Sequence, residues 1–323
     1  MPEASATPER EGMFSPDAPL LQIAWDNTCL NALRKCKRYY QLSILSGYRK
    51  KFLAAPLYYG LMTHAGNERF AKLRANGEDH KTAVRNTVRF LLEKTGTYDE
   101  HGDWVPWEPT EPKEQKRRSR FSIIRTFVWY SEHYKNEKIE TYILPDGRAA
   151  VELSFRIILP MVAPWGEDYF YCGHIDRVVR SQGLLYILEA KHTTYALDDD
   201  YFKKYSPDGQ ISGYNVGGNV ILPEPVVGAI IDAAQIGVNF CRFKKGSAFR
   251  SRDQDEEWMR DTMALIGEAE KCAKEDYWPK DESACHHFGG CEFRNVCNKS
   301  PNVRQDILDA DFKIEKWDPL KER

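Results

Sequence analysis

The sequence offers no apolar stretch able to cross a bilayer: its longest, VVGAIIDAAQIGV over 226–238, is too short and carries Asp232 in its middle. The N-terminal MPEASATPEREGMFSPDAP lacks the basic-then-apolar order of a secretory signal and is expected to be a disordered leader over residues 1–20. An excess of one charge is missing too. Against 48 Asp and Glu stand 46 Lys and Arg, a net charge of −2, so a globally basic nucleic-acid binder is excluded and phosphate contacts fall to local patches. Repeats are absent, as is low complexity beyond the leader. The expectation is a cytoplasmic protein without a membrane partner, in which 8 cysteines argue for ligation or burial rather than a disulfide framework.

What is present suffices for a real core: 323 residues, long enough for one large domain or two ordinary ones. Four basic runs, LRKCKR, YRKK, KEQKRRSR and CRFKKGSAFRSR, are either phosphate-facing patches or solvated faces. Helical periodicity predicts helices over 25–45 (capped by Asn27 or Thr28), 57–75, 80–96 and 121–138, with a Trp- and Pro-rich loop over 97–112. The period then changes. Residues 149–160 alternate like a strand, 171–194 read as a hairpin, 208–218 as a helix start and 254–276 as a helix. The run 226–243 suits helix or strand equally. Helices, then strands, then helices predict an α/β core with helical flanks.

The hairpin YCGHIDRVVRSQGLLYILEAKHTT carries charge inside apolar, β-branched runs, which is costly unless the charges are paired or bind metal. If Gln182-Gly183 is a two-residue loop, residues whose numbers sum to 365 face each other. Asp176 then opposes Glu189 at about 4.5–5.5 Å between Cβ atoms, with Lys191 on the same face. Two carboxylates that close repel unless a cation lies between them. Hard oxygen donors suit Mg²⁺ or Mn²⁺, while a buried Asp–Lys–Glu ion-pair triad without chemistry is the alternative. His174 falls on this face as polar lining.

Two further pairs lie one helical turn apart: Gly60 and His64 in GLMTH, and Gln210 and Tyr214 in QISGY. Gly60 would let its helix face approach another backbone, with His64 as a ligand or a structural histidine. Gln210 and Tyr214 suit hydrogen bonds to phosphate or base, or a capping role.

The order G-x-x-x-H, Asp, E-x-K, Q-x-x-x-Y resembles the RecB-type branch of the PD-(D/E)XK nuclease superfamily, over residues of about 25 to 300. Ile175 stands where the superfamily name has proline. The resemblance implies a restriction-endonuclease-like mixed sheet flanked by helices over 21–300, and a divalent metal held by His64, Asp176, Glu189 and the Ala190 carbonyl. It also implies that Lys191 positions the nucleophilic water, with Asp176 and Glu189 completing the catalytic set, and that Gln210 and Tyr214 bind or orient substrate. Glu152, on the preceding strand, would join the site or face solvent.

Cys285, Cys291 and Cys297 form C-x5-C-x5-C, dense enough for ligation. Cys29 and Cys36 lie about 10.5 Å apart along one helix and cannot both reach a compact centre. CKRYYQL around Cys36 resembles the N-terminal cluster cysteine of iron–sulfur members of the family, such as the AddB nuclease domain and CRISPR-associated exonucleases. There the first spacing of the C-terminal trio is often shorter. The reading is a [4Fe–4S] cluster on Cys36, Cys285, Cys291 and Cys297, joining segments 21–50 and 278–300; zinc, with His286 or His287, is the alternative. Cys29, Cys172, Cys241 and Cys272 are expected to be packed thiols, and 301–323 a polar tail. The expected activity is a Mg²⁺- or Mn²⁺-dependent deoxyribonuclease, an exonuclease on single strands or duplex ends in recombination, repair or replication, with a helicase or recombination protein as partner. The rival is a non-catalytic nucleic-acid-binding subunit.

Overall fold

The computed structural model describes residues 21–51, 54–286 and 290–321. The leader and His287 lie outside them. Two compact units emerge. A hairpin unit comprises residues 54–155 and 174–255; a cysteine unit comprises 21–51, 156–173, 256–286 and 290–321.

Helix α1 (Ala55–Ala75) opens the hairpin unit with Pro56 in its first turn, where the missing amide costs nothing. Helix α2 (His80–Lys94) is capped by Asp79, which accepts from Thr82 N, and α3 (Arg120–His133) by Ser119, which accepts from Ser122 N. Tyr59, Leu91, Ile123 and Phe127 meet in one buried cluster under these helices. Truncating Phe127 to Ala would cost about 3–5 kcal/mol.

Four strands carry the site. The end of β1 (Asp168–Ser181) turns into β2 (Leu184–Thr193), which runs parallel to β3 (Val226–Ile236); β4 (Cys241–Phe249) returns antiparallel. The parallel β2–β3 step requires a crossover, supplied by α4 (Gly209–Ile221), capped by Asp208. The result is an α/β fold with a mixed sheet flanked by helices. Gln182 and Gly183 both take positive φ, 49° and 82°, as a two-residue hairpin loop needs. Pairs Arg177–Leu188 through Ser181–Leu184 all sum to 365.

Several expectations are corrected here. Residues 97–112 carry a small hairpin, Gly96–Tyr98 with Trp104–Pro106, whose Trp104 ring closes over Gly96. The ambiguous run over 226–243 divides between β3 and β4, since a strand buried on both faces shows no alternation. A Cβ placed on Gly60 would meet nothing within 4 Å, so this glycine makes no close backbone approach. The first helix is capped by Asp26, not by Asn27 or Thr28.

In the cysteine unit that helix, Asn27–Lys35, breaks at Cys36, whose backbone is extended, and resumes as Lys37–Tyr40. Trp25 stacks on Tyr40, with ring centroids 5.7 Å apart. Residues 301–321 hold the helix Arg304–Asp311 and the strand Phe312–Ile314, which pairs antiparallel with Tyr48–Lys50. The polar tail expected from composition thus carries Phe312, stacked on Phe293. No described helix is long and apolar enough to cross a membrane.

Candidate active site

The paired register of the hairpin ends at Arg177–Leu188, and just beyond it Asp176 lies near enough to Glu189 to act on its charge. Asp176 Oδ2 accepts the Ala190 amide at 3.0 Å and lies 3.3 Å from His64 Nδ1 on α1. Burial opposes its ionisation, but His64 and the Ala190 amide outweigh that and hold its pKa below the usual carboxylate value. Burial likewise disfavours a charged His64, yet Asp176 prevails and raises it to about 8.

Glu189 is buried, and burial together with Asp176 lifts it to about 7. Its Oε1 takes the Lys191 ammonium at 2.6 Å and the Gln210 amide at 2.9 Å. Its Oε2 is buried with no hydrogen-bond partner among the described residues. Lys191 also donates to Gln210 Oε1 at 2.9 Å, and Gln210 Nε2 reaches Tyr214 Oη at 3.0 Å. The first residues of α4 therefore clamp Lys191 and Glu189 from one face of the sheet. Gln210, expected to bind or orient substrate, here hydrogen-bonds both the lysine and the glutamate.

Three participants were missed. His192 points to the opposite face, where its Nδ1 lies 3.3 Å from Thr63 Oγ1; burial, helped by His64, depresses it to about 3 and keeps it neutral. Arg250 ties its guanidinium to Ser212 Oγ (2.9 Å), Ser206 Oγ (3.0 Å) and the Tyr205 carbonyl (2.6 Å), fixing the start of α4. Asp232 on β3, paired in register with Ala190, accepts from Tyr130 Oη at 2.5 Å and lies 3.5 Å from Lys245. Arg250 and Lys245 belong to the run read as a basic patch, and only tertiary partners tell such residues from solvated ones. Glu152 takes a positive φ of 53° and lines a small cavity with His64 and Asp176 instead of facing solvent. His174 Nδ1 lies 2.8 Å from Ser154 Oγ.

As the side chains lie, no three His, Cys, Asp or Glu groups among the described residues are gathered to hold a metal ion. Chemically, the donors of the hairpin site nonetheless fit a hard divalent cation. Asp176 lies 3.3 Å from His64, both act electrostatically on Glu189, and the unpartnered, buried Glu189 Oε2 is costly unless a cation meets it.

In the cysteine unit, Cys36 and Cys285 both approach the backbone of Asp281. Cys36 Sγ accepts the Asp281 amide at 3.2 Å, and Cys285 Sγ lies 3.8 Å from the Asp281 carbonyl. Cys291 and Cys297 pack against Phe293, Val296, Leu308 and Phe312. Burial raises both thiols, and Cys36 and Cys285 add to the rise in each. Four thiols are the donor chemistry of an iron–sulfur or zinc centre, but as the side chains lie these are not gathered around one ion site among the described residues. His286 is exposed. Cys29, Cys172 and Cys272 are buried, and Cys241 Sγ lies 3.1 Å from Thr126 Oγ1.

A mixed sheet with flanking helices and an Asp, E-x-K set at a hairpin define a nuclease-type core. The family described as the PD-(D/E)XK nuclease superfamily matches residues 27–298, and the chain belongs to it. No curated protein matches the sequence. Among solved structures, SSO0001 shares 14% identity and a TM-score of 0.26, with 46% of this chain and 59% of SSO0001 covered; the chain thus spans less than two thirds of that protein. A Eubacterium rectale protein solved as a candidate exonuclease shares 10% identity and a TM-score of 0.44, with 88% of this chain and 92% of that chain covered.

Proposed function

We propose that this protein is a Mg²⁺- or Mn²⁺-dependent deoxyribonuclease of the RecB-type branch, acting as an exonuclease on single strands or duplex ends. The observation that carries it is the buried, unpartnered Glu189 Oε2 beside Asp176, with Lys191 held against the same carboxylate. His64, Asp176, Glu189 and the Ala190 carbonyl would hold the cation. When bound, it supplies charge that polarises the phosphodiester and acidifies a water.

The chain's own groups do the rest. Lys191, kept cationic by Glu189 and Asp176 against the cost of burial, offers its Nζ protons to the water or to the charge that grows on phosphate. Gln210 limits the lysine to one geometry. Tyr214 buttresses Gln210. Arg250 anchors the helix that carries both.

Cys36, Cys285, Cys291 and Cys297 would hold a [4Fe–4S] cluster, with zinc as the alternative, and its role is to stabilise the fold of the cysteine unit. Recombination, repair or replication, beside a helicase or recombination protein, is the setting we infer. End-labelled linear and single-stranded DNA, incubated with Mg²⁺ or Mn²⁺, tests the activity. Cleavage that is abolished by chelation and by Lys191→Ala supports it. Salt-sensitive DNA binding with no metal-dependent cleavage supports the non-catalytic reading instead.

A further inference from the structure

A cavity of about 30 Å³ touches His64, Asp176 and Ala190, and Arg177 also lines it. Four residues of its wall, Phe70, Ala71, Tyr130 and Arg177, also line a second cavity of about 360 Å³. Arg177 thus stands in a wall common to the small cavity, which Asp176 lines, and to a chamber at the small end of ligand-pocket sizes, about 300–1,000 Å³. Arg74, His80, Tyr134 and Lys135 stand around it.

Arg177 is the unexplained group. Its Nε is buried with no hydrogen-bond partner among the described residues. Nearby acids are committed elsewhere: Asp176 to His64 and the Ala190 amide, Glu137 to Lys245 at 2.8 Å, Glu68 to Lys72 at 2.6 Å. Tyr130 Oη serves Asp232. Glu140 lines the large cavity and Glu152 the small one, so the site is not uniformly positive. A guanidinium with an unused buried donor, beside a chamber rimmed by Arg74 and Lys135, matches the fork-like geometry that phosphate accepts.

We propose that the larger cavity receives the terminal nucleotide of the strand being cut, with Arg177 as the anchor of its end phosphate. This rests on the nuclease reading above and deepens it: a one-nucleotide chamber next to the cut makes the enzyme measure from a phosphorylated end.

The test uses single-stranded oligonucleotides identical but for a phosphate or a hydroxyl at the 5′ or the 3′ end. Wild type is expected to favour one phosphorylated end over its hydroxyl counterpart by about tenfold in kcat/KM, and Arg177→Gln to bring that ratio within about twofold. Equal rates on all substrates, or a preference that survives Arg177→Gln, overturns the subsite. Should Arg177→Gln fail to fold, the exposed variants Arg74→Ala and Lys135→Ala are expected to narrow the ratio by about threefold; an unchanged ratio in both overturns it. Failure of the nuclease reading looks different, because wild type then cleaves none of the substrates. Calorimetric binding of deoxyadenosine 5′-monophosphate, deoxyadenosine and inorganic phosphate then decides the subsite. Mononucleotide binding that requires the phosphate and is lost in Arg177→Gln supports it. Inorganic phosphate binding as tightly as the mononucleotide, or no binding, overturns it.

Discussion

The hairpin unit and the cysteine unit solve the gathering of polar groups in opposite ways. In the first, Asp176 meets the Ala190 amide across 14 positions and one two-residue turn. In the second, Cys36 meets the Asp281 amide across 245 positions. A turn sets register, and register sets which side chains face each other, so the first site is written locally. The second exists only after distant segments have packed, which makes a centre that joins them a contributor to folding.

That contrast breaks most sharply at Lys191. Lys191→Ala should lower cleavage by about 10²–10³-fold with an unchanged circular dichroism spectrum. An inactive variant that has also lost its helical signal would mean that the ammonium serves mainly to hold the hairpin. Next in size is the proposed cysteine centre. Cys297→Ser should abolish stoichiometric iron and sulfide and lower stability by about several kcal/mol, read from thermal unfolding of anaerobically purified protein. Colourless wild type with stoichiometric zinc would transfer the same role to the other metal.

Arg250 sharpens the picture within the hairpin unit. Arg250→Met should lower kcat by about tenfold with KM little changed, and Lys should rescue poorly because one ammonium cannot span Ser206, Ser212 and the Tyr205 carbonyl. A change confined to KM would instead place Arg250 against substrate.

The smallest expected effect concerns pH. Folding raises His64 from 6.5 to about 8, so its contribution is complete below pH 6.5 and is lost as pH rises through 8. Glu189, raised from 4.5 to about 7, adds a loss of the same sign at lower pH. Metal-free protein should therefore lose on the order of 1 kcal/mol of stability between pH 6.5 and 8.5, discounted for partial exposure of the imidazole. Denaturant unfolding should show His64→Gln without that drop.

Much of the hairpin site was legible because short-range rules governed it. Gly183 signalled the turn, alternation placed Glu189 and Lys191 on one face, and helical spacing joined Gln210 to Tyr214. Other features depended on tertiary partners. Arg250 looked like one more surface arginine until its acceptors at 205–212 were in place. His192 follows Lys191 directly, and only its burial against Thr63 and His64 makes it distinctive. The break at Cys36 was invisible because its neighbours are good helix formers; the extended backbone there coincides with the Asp281 amide donating to its sulfur. Phe312 and Trp317 were hidden in a stretch whose composition is otherwise polar, yet Trp317 donates to Asp26 at 2.7 Å.

Equilibrium binding of Mn²⁺, followed by calorimetry, bears most directly on the vacant oxygen of Glu189. Wild type should bind one ion and release protons as it does so, and Glu189→Gln should weaken that binding by about tenfold or more. Binding of equal strength in both proteins, or none in wild type, would contradict the account.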